Sequence, residues 1–228
     1  MEKLDLIFNE NHIRNKLLPL DSPSRLSLKN DKFVNSAITF LIVPYNDKPY
    51  DLVLIRRTHS DKDKHSGEMS FPGGKQDLQD SSLEETALRE CEEELGIPRQ
   101  NIQVLGSFDD HITPQQFIIT PIVAFIDQKQ ELYKCEEEVH EILKIPINFF
   151  VNKKNYRERT YTLNNETIGV GKYNYRASNG KKYVIFGATC HIIVTYVDLI
   201  HEAGLMKPGV RRLTPTDFDN RENKIKKD

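Results

Sequence analysis

Arg89-Glu90-Cys91-Glu92-Glu93-Glu94-Leu95-Gly96-Ile97 is the stretch on which the reading of this chain turns. From Ser81 onward, Leu83, Ala87, Leu88, Cys91 and Leu95 recur at helical spacing and form an apolar stripe. Ser81 or Ser82 suits the helix start, Gly96 a left-handed stop, and Pro98 forbids continuation. A helix over 81–95 is predicted. Residues three and four apart share a helix face, so Glu90, Glu93 and Glu94 are expected to converge. Glutamate runs are ordinarily solvated faces. Three converging carboxylates repel one another, however, and hard divalent cations such as Mg²⁺ or Mn²⁺ supply the counter-charge through oxygen ligands. Such an ion can clamp a diphosphate and activate water. Arg89 beside the cluster can orient a carboxylate through paired N–H donors.

Upstream, FPGG (71–74) is tight punctuation after a polar loop over 58–70 that contains Asp61 and Asp63. Gly73 and Gly74 allow a sharp turn that brings main-chain groups close to an ion. Before it, SAITFLIVPY (36–45) and DLVLIRR (51–57) read as strands joined by the NDKP turn. Downstream strands are expected at 102–108, 117–126, 139–145, 156–162 and 182–186, and a last helix from Ala188 to Leu205. An amphipathic stretch around Leu4–Leu18 is expected to be a short helix, followed by a linker. The tail, ending KIKKD, has the composition of a disordered segment. The domain reading is 1–35 helix and linker, 36–205 the main domain, 206–228 tail.

Taken together, Gly74 and the Arg89–Ile97 segment resemble the Nudix box, Gx5Ex7REUxEExGU. Cys91 stands at an aliphatic position, and the spacer before Arg89 is one residue longer than the general pattern. The outer carboxylate is then Asp80, or is taken over by Asp77 or Glu84. Gly73-Gly74-Lys75-Gln76-Asp77-Leu78-Gln79-Asp80 is similar to the GGxxDxxD run of the coenzyme A branch of that family. Leu52–Thr58 with His65-Ser66-Gly67-Glu68-Met69-Ser70-Phe71-Pro72-Gly73-Gly74 resembles the branch's LLTxRS…HxGxxxFPGG signature, and Phe186–Ile193 its (W/F)GATARIL piece.

The resemblance implies an α/β/α sandwich with a mixed β-sheet between helices. It implies an enzyme that uses Mg²⁺ or Mn²⁺ to cleave coenzyme A or acyl-coenzyme A into adenosine 3′,5′-bisphosphate and (acyl-)4′-phosphopantetheine. A diphosphatase for ADP-ribose or another nucleoside diphosphate derivative is the alternative, and a non-catalytic binding module the third reading. Glu90 and Glu94 are implied as metal ligands, with Glu93 as ligand or base in competition with Glu137 and Glu138. Arg89 is implied to organise the catalytic helix. Arg56, Arg57, His65, Gly73 and Gly74 are the candidates for substrate contact. Alternation sends Arg56 and Arg57 to opposite faces of their strand. His191 and Tyr173, Tyr175 and Tyr183 read as packing residues.

Bulk composition sets limits on the rest. The chain has 228 residues, 38% hydrophobic and 29% charged, with a net charge of −2, which suits one polar-leaning globular domain. That charge does not suit a dedicated nucleic-acid binder. Three separated cysteines suggest neither a disulfide framework nor a zinc site. With no signal-peptide pattern and no spanning apolar run, a cytoplasmic location without a membrane partner is expected, and the resemblance implies a small-molecule nucleotide of coenzyme A type as the partner. A homodimer is compatible with this reading.

Overall fold

The computed structural model describes residues 6–59, 66–163, 165–218 and the backbone of 226–227. In chain order the elements are α1 (Glu10–Lys16), β1 (Val34–Val43), β2 (Asp51–Arg57), β3 (Met69–Ser70), β4 (Gly73–Lys75) and α2 (Leu83–Leu95). There follow β5 (Gln103–Ser107), β6 (His111–Ile112), β7 (Phe117–Phe125), β8 (Val139–Pro146) and α3 (Ile147–Val151). The chain continues with β9 (Tyr156–Leu163), β10 (Glu166–Arg176), β11 (Lys182–Phe186), α4 (Gly187–His201) and β12 (Lys226–Lys227).

The central sheet is mixed. β1 runs parallel to β7 from Val34↔Phe117 to Ile42↔Phe125, and antiparallel to β2 and β4. β2 pairs antiparallel with β8 and β3, and β7 with β5 and β6. Side-chain alternation on β1 and β2 divides the core. Leu41, Val43, Val53 and Ile55 pack with Cys91 and Leu95 of α2. Phe40, Ile42, Leu52 and Leu54 pack with Ile192, Tyr196 and Val197 of α4. Each of these strand residues is fully buried, and removing one such side chain from water contributes roughly 1.5–3 kcal/mol. The outcome is a mixed α/β fold with a sheet between helices, as the sequence leads one to expect. Among the described residues no helix is long and apolar enough to cross a membrane.

A second sheet runs β11-β10-β9-β12 and packs its inner face on α4 and α3. β10 is absent from the sequence expectation because Gly169 and Gly171 weaken its strand pattern. A Cβ at Gly169 would sit 2.6 Å from Arg212 Nη1 and Val210 Cγ1, so the close approach of residues 210–212 requires glycine there. Within the tail, Arg211 forms two bonds to Asp217, and Lys226–Lys227 pair with β9 where composition leads one to expect disorder.

Both terminal helices are shorter than expected. Asn9 Oδ1 accepts from His12 N at 2.9 Å and starts α1, while Leu18 leaves the helix to bridge Ser107. α4 stops at His201 because Glu202 is left-handed, with φ of 51°. The Asp198 carboxylate then accepts from Leu205 N and Met206 N, both at 2.8 Å, and fixes the turn away from the helix. Phe8, Ile13 and Leu17 of the N-terminal segment join the core cluster of α4, and Arg25 forms a buried ion pair with Asp110.

Candidate metal centre

α2 begins where Ser82 Oγ accepts from Glu85 N at 3.1 Å, and ends where Gly96 turns left-handed at φ 63°. Its last carbonyls lack partners within the helix. The loop after β7 supplies them: Tyr133 N donates to Leu95 O at 2.9 Å and Cys135 N to Glu94 O at 3.0 Å. This return lays Glu138 beside the helix. Carboxylate oxygens of Glu90, Glu94 and Glu138 all lie within 4.8 Å of one another.

That trio differs from the expected Glu90, Glu93 and Glu94. At about 100° per residue, Glu94 lies about 40° from Glu90 on one side and Glu93 about 60° on the other. Glu93 is thereby turned toward Arg89, whose Nη1 donates to Glu93 Oε2 at 3.0 Å, and its side chain is 58% exposed. The expected convergence holds for Glu90 and Glu94, and Glu138 from the loop completes the group. Glu137 is exposed and lies outside it.

Glu94 is the buried member, at 1% exposure. Its Oε2 accepts from Gly73 N at 2.9 Å, while its Oε1 is buried with no hydrogen-bond partner. Arg57 Nη1 stands 3.9 Å from that oxygen, too far for a hydrogen bond. Burial pushes the Glu94 carboxyl up to about 8, against the pull of Gly73 N–H and Arg57. Burial also raises Glu90, opposed by its 2.8 Å contact with Arg89. An orphaned buried carboxylate oxygen next to two further carboxylates suits a hard divalent cation.

Asp80 and Arg89 frame the site. Arg89 donates through Nε to Asp80 Oδ1 and through Nη2 to Asp80 Oδ2, each at 2.9 Å. Thr86 Oγ1 and Asp77 N also donate to Asp80 Oδ2. The guanidinium holds the Asp80 carboxyl well below the usual carboxylate range. Asp80 thus orients Arg89 and is not among the grouped carboxylates. Arg89 Nη2 reaches Lys75 O at 3.1 Å, tying the glycine loop to the helix.

Gly73 and Gly74 serve the carboxylates. Gly73 has φ of 150°, and a Cβ there would meet Ala37 O at 2.4 Å. A Cβ on Gly74 would meet the Glu90 carboxylate at 2.4 to 2.6 Å. Arg56 and Arg57 part as alternation requires. Arg57 faces Glu94, whereas Arg56 donates to Gly67 O at 3.3 Å. His65, Asp61 and Asp63 lie outside the described residues. His191 Nε2 accepts from Gly171 N at 3.1 Å, and burial pushes it down to about 3. Tyr173 is buried and donates to Phe150 O, and Tyr183 donates to Glu141.

A family model described as the NUDIX domain matches residues 35–158. The chain is 35% identical over 159 residues to a Nudix hydrolase NudL of Yersinia enterocolitica, covering 70% of this chain and 79% of that one. It is 28% identical over 197 residues to the peroxisomal coenzyme A diphosphatase NUDT7 of Mus musculus, covering 83% of each. Among solved structures, a MutT/nudix family protein from Enterococcus faecalis aligns with a TM-score of 0.46 at 17% identity, over 76% of this chain and 64% of that one.

Proposed function

The chain belongs to the Nudix hydrolase family, and from that premise we propose that it cleaves the diphosphate of coenzyme A or an acyl-coenzyme A to adenosine 3′,5′-bisphosphate and (acyl-)4′-phosphopantetheine. One observation carries the metal-dependent part of this reading. Glu94 Oε1 is buried and unpartnered within 4.8 Å of carboxylate oxygens of Glu90 and Glu138. Nudix hydrolases work with divalent ions, and Mg²⁺ or Mn²⁺ fits this oxygen-only donor set. When bound, such an ion neutralises diphosphate charge and lowers the pKa of water.

The protein groups divide the remaining work. Glu90, Glu94 and Glu138 would hold the ion. Gly73 N–H fixes the rotamer of Glu94, and the bare Cα of Gly74 leaves room for Glu90. Arg89, clamped by Asp80, is a positioning residue for Glu90 and Glu93. Glu93 stays open to solvent beside the trio and is the base that takes a proton from the attacking water. Arg57, on the carboxylate side of β2, meets the diphosphate with its planar fork of donors. Residues 36–205 form the catalytic unit.

Coenzyme A as substrate is supported by the His65–Gly74 and Phe186–Ile193 segments and by the named activity of the mouse relative. The test is incubation with coenzyme A and Mg²⁺ or Mn²⁺, with the products identified by mass. Release of 4′-phosphopantetheine is expected. Rapid cleavage of ADP-ribose with none of coenzyme A would keep the hydrolase and remove this substrate.

A further inference from the structure

The β9–β10–β11 sheet has an inner face packed on α4, and on its outer face the side chains around Lys172, Asn174 and Arg176 are half-buried or exposed. Alternation sorts the residues at that end, whereas Leu163 and Ile168, of the same parity as the outward residues, are buried at the other end, where Ile168 bridges Arg211. Tyr156, Glu158, Tyr173, Tyr183 and Ile185 face inward, with Tyr156, Tyr173, Tyr183 and Ile185 buried and the Glu158 side chain fully so. Arg157 and Arg159 of β9, Lys172 and Arg176 of β10, and Lys182 of β11 face outward. None of these five cations makes an ion pair among the described residues. The one acid on that face is Glu166, at the far end, and its carboxylate is taken by Arg211 at 2.7 Å.

The register sharpens this. Lys172 sits directly across from Arg157, and Arg176 directly across from Lys182. Like charges at opposed positions destabilise a sheet. A fold that carries two such pairs side by side, with no interleaved acid, is relieved when an anionic surface lies against it. Three apolar side chains stand out among the cations: Val170, Val184 and Phe186 are 37%, 48% and 44% exposed. With a net charge of only −2 overall, five cations on one face leave the rest of the chain acidic and give the molecule an oriented field.

We propose that this face docks the enzyme on a membrane surface bearing anionic lipid headgroups. The patch is an open sheet face that suits a planar partner. The cations would sit at the headgroups while Val184 and Phe186, on the edge strand, reach the acyl boundary. Single-stranded nucleic acid fits less well, because stacking platforms need successive aromatic rings and this face offers Phe186 on β11 and Tyr161 on β9, with β10 between them.

The experiment is co-sedimentation of the full chain with phosphatidylcholine vesicles, with and without about 30% phosphatidylserine. Binding to the anionic vesicles alone is expected, and it is lost at about 0.5 M salt. Combined Arg157→Gln, Lys172→Gln and Lys182→Gln substitutions should weaken binding at least about tenfold, since each basic residue adds to the attraction. An equal-charge control of Lys29→Gln, Lys129→Gln and Lys144→Gln should bind as the parent does. Should the triple variant unfold at a lower temperature, Val184→Ser with Phe186→Ser decides instead, with severalfold weaker binding expected. No binding to anionic vesicles, equal loss in the control, or binding of a single-stranded oligonucleotide through this face with none to vesicles would overturn the proposal.

Discussion

A β-carbon placed on Gly74 would lie 2.4 Å from Oε1 of Glu90. The obstacle is the far end of a flexible side chain, so the carboxylate gives way and the backbone stays. Gly74→Ala is therefore expected to fold, with less than about 1 kcal/mol lost, while Glu90 leaves the trio. Turnover should fall about a hundredfold, with much of the loss recovered at raised Mn²⁺, because metal-ligand support is worth about 10- to 100-fold in affinity. A metal titration of turnover measures this. An unchanged half-saturating metal concentration would remove Glu90 from the ligand set.

Glu94→Gln separates site from scaffold. The amide keeps the shape and an oxygen for Gly73 N–H, but loses the charge that burial disfavours and that a cation would need. Turnover should drop by about three orders of magnitude, on the scale of lost electrostatic stabilisation. Thermal unfolding in chelator at pH 7 should hold or rise, since the parent must keep a buried carboxyl protonated well above its unfolded value near 4.5 and the amide removes that cost. A large drop in unfolding temperature would make Glu94 a scaffold residue first.

The raised Glu94 carboxyl also fixes a pH dependence. In the metal-free protein the folded state holds this proton up to about pH 8, whereas the unfolded state releases it near 4.5. Between those values the unfolded chain binds fewer protons, so metal-free stability should fall as pH rises from about 4.5 toward 8 and then level. Metal binding needs the carboxylate, so Mg²⁺ affinity should climb over the same window, close to tenfold per pH unit near its lower half. Calorimetric titrations at several pH values read the slope, and Glu94→Gln should flatten it.

How far these features were legible follows from their distance along the chain. α2 could be read because its stripe, the Ser82 cap and the Gly96 stop all lie within one window. β1 and β2 could be read from their apolar runs, and the Glu90–Glu94 pair from helical spacing. Glu138 could be weighed only as a base, because its place beside Glu94 depends on two bonds from the returning loop to the end of α2. Glu93 was grouped with the trio because i, i+3 spacing marks a shared face without saying on which side of Glu90 it falls. Asp80 was an outer-carboxylate candidate by position, and its pairing with Arg89 nine residues on could not be read from that position. β10 was hidden by glycines with distant reasons: Arg212 packs at Gly169 from more than forty residues away, and the Tyr156 ring packs at Gly171 from the paired strand.

Asp80→Asn should disorder the frame of the site. The carboxylate accepts four donors, two from Arg89 and one each from Thr86 and Asp77. Losing its charge should cost about 3 kcal/mol, since the guanidinium is left under-paired in a half-buried position. Because the folded Asp80 carboxyl is depressed, its contribution is present above the unfolded value near 4 and is lost as pH falls below it. Chemical denaturation at pH 7 and pH 3 should therefore show a smaller gap between parent and variant at the lower pH. An equal gap at both would deny the ion pair its role.

Arg56 and Arg57 are neighbours with opposite expected effects. Arg57 Nη1 stands 3.9 Å from the unpartnered oxygen of Glu94, on the α2 face of the sheet. Arg56 lies on the other face, bonded to Gly67 O. If the diphosphate lies against the carboxylate trio, Arg57→Gln removes donors that meet its developing charge. A fall in kcat/KM of about 10²- to 10³-fold is then expected. Arg57→Lys should restore little, because a point charge does not replace a planar fork. Arg56→Gln should stay within about threefold of the parent, as a side chain directed away from the reacting phosphorus leaves transition-state binding intact. Steady-state kinetics on the three variants decide it, and an Arg56 loss equal to that of Arg57 would mean that substrate spans both faces of the β2 end.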